Sequence, residues 1–180
     1  MTKVLPASLI WAVLMLSFKI GLTQNKVALD QANCIVVVPG TMKLFTDSIQ
    51  TDIGQIVYYT YVCKDSSLQY QLSYCEYPEG SLHSDSTELL REFFSATLAA
   101  STEKLQGTQR YASEIVQFGY PGWFWRIDYG KNRFSKTKAF VAGRKFYKLE
   151  ILGNRNNDQE NRSTLYFDSF QFIDLNKNRR

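Results

Sequence analysis

The sequence predicts an α+β domain: a mainly antiparallel sheet of about six to seven strands, one long helix and a short C-terminal helix. Three observations carry this reading. Gly119–Ile151 has the apolar density and turn spacing of three consecutive strands. Leu68, Tyr70, Leu72 and Tyr74 alternate with Gln69, Gln71 and Ser73, the period of two of a half-buried strand. Between these regions lies the single strong helical segment, in which Leu89, Leu90, Phe93, Phe94 and Leu98 recur at helical spacing.

Residues 1–23 read as a secretory signal peptide. Lys3 supplies a basic start, and the apolar run Val4–Phe18 ends at Lys19. That run of roughly 15 positions is shorter than the ~20 a membrane-spanning helix needs. Cleavage is expected near Gly21–Gln24, and an uncleaved N-terminal anchor is the alternative. Residues 24–33 are expected to be an irregular lead-in. One domain is expected over residues 34–175, followed by a basic tail at 176–180.

Within that domain, Cys34–Val38 is β-branched and stops at Pro39-Gly40, as a first strand would. Lys43–Gly54 is polar and mixed and reads as a loop. Gln55–Cys63 and Leu68–Tyr77 follow as a hairpin whose simplest register sets Cys63 opposite Leu68. Asp85, with Glu88 three residues on, has the spacing of a capping box opening the long helix. Leu105 extends its apolar face, and Gly107 is placed to cap its C-terminus.

Tyr111–Phe118 reads as a strand, and Tyr120-Pro121-Gly122 as a turn. In the strand Trp123–Tyr129, Trp123, Trp125, Ile127 and Tyr129 share one face, and Phe124, Arg126 and Asp128 the other. Gly130–Ser135 is a polar turn. Lys136–Ala142 and Lys145–Ile151 meet at Gly143-Arg144, a type II′ pattern that pairs Phe140 with Tyr147 and Val141 with Phe146. Gly153–Asn161 reads as a loop, and Ser163 or Thr164 as the start of a short helix through Phe170.

Chemistry-bearing patterns are sparse. His83 is the one histidine and lies in a polar loop, so neither a metal nor a cofactor is expected, and no catalytic residue is assigned. A Ser-His-Asp triad would need His83 as base, and no Gly-x-Ser-x-Gly elbow is present. Cys34, Cys63 and Cys75 allow a disulfide in an exported chain, with any pairing open and three buried free thiols the alternative.

The charge balance of 21 basic against 17 acidic residues is weakly positive, which argues against a dedicated nucleic-acid binder. Seven basic residues nevertheless fall between Lys131 and Lys148 with no acidic one among them. The candidate partner-binding residues are therefore Trp123 and Phe124, as an aromatic surface, with Lys131, Arg133 and Lys136 as a basic turn. The partner expected is a protein, a glycan or an anionic envelope component, with at most peripheral membrane contact.

Several segments, in order, resemble bacterial secreted proteins of PsbP-like fold. Gly119-Tyr120-Pro121-Gly122 followed by Trp125-Arg126-Ile127 resembles their "GYPGxxFRI" strand entry. Phe140–Leu149 resembles their "FLVGNRLYQL" hairpin, Phe167-Asp168-Ser169-Phe170 their closing "FLDSF", and Val36–Pro39 their opening strand. The resemblance implies an α/β/α sandwich and a non-enzymatic accessory or binding role. The chain departs from the pattern at Trp123 and Phe124, in its three cysteines and in the Asn154–Asn161 loop. The expected function is that of an exported, non-enzymatic binding or accessory protein. The alternatives are a hydrolase with a site assembled near His83, and a structural envelope component.

Overall fold

A computed structural model of the protein describes residues 24–157 and 160–173; the expected signal peptide and the basic tail lie outside them. The strands are β1 (Asn25–Leu29), β2 (Cys34–Val38), β3 (Lys43–Thr51), β4 (Gly54–Lys64), β5 (Leu68–Glu76), β6 (Gly107–Gln117), β7 (Tyr120–Tyr129), β8 (Arg133–Ala142), β9 (Lys145–Asn154) and β10 (Gln171–Phe172). Helix α1 (Thr87–Leu105) lies between β5 and β6; a 3-10 turn at Arg155–Asn157 and helix α2 (Glu160–Asp168) follow β9. Seven strands form one antiparallel sheet in the order β3-β4-β5-β9-β8-β7-β6, and β1-β2-β10 form a second, smaller sheet.

Both faces of the large sheet are covered, as the apolar residues of both parities required. On one face Leu72, Tyr74, Phe140, Tyr147 and Leu149 pack against Val36 and Val38 of the small sheet and Tyr166 and Phe167 of α2. On the other, Trp125, Ile127, Val141 and Phe146 pack against Leu90, Phe94 and Leu98 of α1. The β8–β9 hairpin has the register read from the sequence: Phe140 faces Tyr147 and Val141 faces Phe146. Gly143 has φ of 61° and Arg144 does not share a positive φ, as a type II′ turn demands.

The closing Phe167-Asp168-Ser169-Phe170 segment ties the layers together. The Val37 backbone N–H donates to Ser169 Oγ at 2.8 Å, and Asp168 meets Lys138 Nζ at 3.3 Å. Phe170 sits edge-on to Phe140 at 5.1 Å. The Tyr166 hydroxyl donates to the Gln71 carbonyl at 2.7 Å, and Arg162 pairs with Asp65 in the β4–β5 turn.

Several sequence expectations are corrected. The lead-in contains β1, which pairs with β2 along its whole length. The expected loop Lys43–Gly54 is β3, an edge strand that escapes the periodicity signal because eight of its nine residues are exposed. The β4–β5 turn sets Cys63 opposite Tyr70, not Leu68, because Asp65 Oδ1 accepts the backbone N–H groups of Ser67 and Leu68 and tightens the loop.

No capping box forms. The Asp85 N–H is taken by His83 Nδ1, Ser86 is the cap without a side-chain bond, and the helix begins at Thr87. Leu89 faces solvent. Gln106, with φ of 48°, takes the left-handed cap expected of Gly107, which belongs to β6. The β6–β7 turn is Phe118-Gly119, both with positive φ, so Tyr120-Pro121-Gly122 lies within β7. Helix α2 begins at Glu160 and ends at Asp168, ahead of the expected span.

Gly122 is required by close approach. A Cβ there would collide with the Ala139 carbonyl and come within 2.8 Å of Phe140 Cβ, because Gly122 of β7 pairs directly with Phe140 of β8. Gly122→Ala is expected to cost about 1–3 kcal/mol of stability, read as a fall in Tm with an unchanged far-UV spectrum.

Candidate functional site

Helix α1 crosses the β6–β7 end of the sheet and leaves a groove of about 240 Å³ beside the hairpin tip. Leu90 and Phe94 form its floor from the helix; Ile115 and Val116 of β6 and Pro121 and Trp123 of β7 form its walls. Trp123 is half-buried and stacks on Phe94, with ring centroids 6.2 Å apart and planes at 16°. Val116 is 73% exposed, and Arg91 Nε meets Glu114 Oε1 at 3.0 Å across the rim. The groove is apolar with one ion pair at its edge. It suits an apolar side chain from a partner better than sugar hydroxyls, which need convergent polar groups. Of its lining, the sequence reading identifies Trp123 alone as a candidate. Ile115-Val116-Gln117-Phe118, apolar on both strand parities, is the signal for the rest.

The other candidates do not converge on this groove. Phe124 points to the opposite face, edge-on to Phe167 of α2 at 5.6 Å and tilted against Tyr111 at 5.6 Å. Lys131 is exposed in the β7–β8 turn, and Arg133 lies over the Tyr129 ring at 4.8 Å. Lys136 is inside β8 and buried, its Nζ 5.5 Å from the centre of the Phe134 ring. The expected basic turn is thus split between two faces of the sheet, because alternate strand residues point opposite ways.

Two buried carboxylates lie among basic groups. Asp128 accepts Arg126 Nε at 2.9 Å, Arg155 Nη2 at 2.5 Å and Arg110 Nε. Burial pushes its carboxyl up, but the Arg126 and Arg110 hydrogen bonds, together with the charges of Arg126 and Arg155, outweigh burial and hold it below the ordinary value. On the α1-side face, Ser135 Oγ donates to Glu150 Oε1 at 2.7 Å, and Lys148 Nζ lies 3.3 Å from Oε2. Burial raises Glu150, and the Lys148 charge, the Ser135 and Lys148 hydrogen bonds and the Lys104 charge together more than reverse it.

His83 is exposed and hydrogen-bonded within its own turn. The three cysteines are buried free thiols, and burial pushes Cys34 and Cys75 up to about 12, far from the thiolate a nucleophile needs. Cys75 lies in the α1-side core, whereas Cys34 and Cys63 lie in the opposite one, so the sheet itself separates Cys75 from the other two. Among the described residues, no cluster of three or more His, Cys, Asp or Glu is placed to hold a metal, and no helix is long and apolar enough to cross a membrane.

No family sequence model matches the chain, and no curated protein matches it in sequence. Among solved structures, it is similar to cyanobacterial PsbP (CyanoP) from Synechocystis sp. PCC 6803. The TM-score is 0.52 at 12% identity, over 86% of this chain and 95% of that one. The fold is PsbP-like.

Phe124→Ser is expected to lower stability by about 1.5–3 kcal/mol, seen as a fall in Tm, because Phe124 is covered by α2. Glu150 has a folded-state pKa below the ordinary glutamate value of 4.5, so its ionised form contributes stability above that pH. The contribution is lost as pH falls through the lower folded value. Glu150→Gln is therefore expected to lower Tm at neutral pH and to flatten the acid limb of the stability curve just below pH 4.5, measured by thermal melts across pH.

Proposed function

We propose that the protein is an exported, non-enzymatic binding or accessory module that receives an apolar segment of a partner polypeptide in the groove beside Trp123. The observation that carries this reading is the groove itself: Val116 stands 73% exposed over a floor of buried Leu90 and Phe94. An apolar groove with a half-buried tryptophan, Trp123, stacked on Phe94 of its floor offers the kind of aromatic-lined pocket that an apolar partner side chain fills. The short apolar run at Val4–Phe18 behind Lys3 supports export. The accessory role rests on the resemblance of Gly119–Gly122, Phe140–Leu149 and Phe167–Phe170 to PsbP-like secreted proteins, with which the PsbP-like fold is consistent.

A photoreactive residue placed at Val116 is expected to form a discrete adduct with one other polypeptide in the exported fraction, on a chain whose N-terminus begins near Gly21–Gln24. The same residue at Lys26, on the small sheet, is expected to form none. Equal labelling at the two positions, or adducts only with the chain itself, would contradict the groove as the docking site. In the same cells His83→Ala is expected to leave the adduct unchanged; a hydrolase centred on His83 predicts loss of an activity instead.

A further inference from the structure

The two edges of the large sheet are built differently. At one edge β6 is broken by a register shift between Gln109 and Tyr111. A bulge of this kind twists an edge away from pairing with another chain. At the other edge β3 pairs with β4 through nine consecutive residues with no shift and no proline. Its exposed residues include Leu44 at 41%, Phe45 at 57% and Ile49 at 49%. An exposed, regular edge of this length, with three apolar residues among its nine, leaves a row of backbone groups open to another strand.

We infer that β3 pairs antiparallel with β3 of a second copy about a twofold axis through Phe45, merging the two large sheets into one. The charges of the strand select that register. A twofold perpendicular to the sheet keeps residues of the same parity opposite each other. Centred on Phe45, it sets Phe45 against Phe45 of the second copy and Lys43 against Asp47 of the second copy, twice. All of these pairs lie on one face. Leu44 then faces Thr46 on the other. An aromatic pair flanked by two opposite-charge pairs is a favourable cross-strand set. Moving the axis to Asp47 would instead oppose two like charges, and moving it to Thr46 would set Phe45 against Asp47.

Cysteine cross-linking in the full chain tests the pairing, because the three native thiols are buried and burial pushes each of them up. In this register the two Cα atoms at position 45 are roughly 5 Å apart, within disulfide range. The two at position 49 are roughly 26 Å apart, from a rise of about 3.3 Å per residue. Phe45→Cys is expected to give a reducible homodimer on mild oxidation, and Ile49→Cys none.

In the otherwise native chain, Lys43→Asp is expected to weaken self-association about tenfold or more by sedimentation. The swap Lys43→Asp with Asp47→Lys is expected to restore it. A native chain that sediments as a monomer at every concentration would overturn the inference. So would equal cross-linking at positions 45 and 49, or a charge swap that fails to restore association.

Discussion

The structure depends on one constraint: the central hairpin of the large sheet is apolar on both faces, so both faces must be covered. Phe140 and Tyr147 stack at 5.4 Å toward the small sheet, while Val141 and Phe146, one residue along each strand, point toward α1. Neither side can be left to water at an apolar cost of roughly 25 cal/mol per Å². The small sheet with α2 covers one side and α1 the other. The C-terminal segment completes the first of these covers, with Phe170 and Phe172 edge-on to Tyr147 at 5.8 and 5.5 Å.

The covering is uneven, and the unevenness leaves apolar side chains exposed at two places. Helix α1 lies over β6 and β7, so at its N-terminal half the hairpin tip overhangs and leaves the Trp123 groove. At the far edge β3 extends the sheet beyond the cover of either layer, which is why its side chains are exposed on both faces. The polar residues in the sheet are matched to their burial. Glu150 and Asp128 lie within the strands, and each is held ionised by basic or hydroxyl partners.

Much of this is legible in residue order. The alternation Leu68–Tyr74, the paired aromatics around Gly143-Arg144 and the helical spacing of Leu90, Phe94 and Leu98 each encode burial directly, because burial and periodicity are the same fact. The segments that escape such a reading are those where burial is absent or shared. β3 has no buried face, so its residues mimic a loop. β1 is two residues exposed before it becomes partly buried. Asp85 has the right neighbour for a capping box, yet the nearby His83 imidazole takes its N–H. At the candidate site, Trp123 is legible as an aromatic on a strand. The groove around it is not, since its floor comes from α1, more than twenty residues earlier.

By itself the sequence determined which strands are two-sided, where the long helix lies, and the register of the hairpin that carries the core; these follow from side-chain period and from turn chemistry at single glycines. Only the tertiary structure decided which charged residues share a face. Lys131, Arg133 and Lys136 are neighbours along the chain but diverge in space, while Arg110, Arg126 and Arg155 are distant in the chain and meet at one aspartate. It also decided which apolar residues are left uncovered. That depends on how far one helix reaches across a sheet, a length and an angle that no local pattern records.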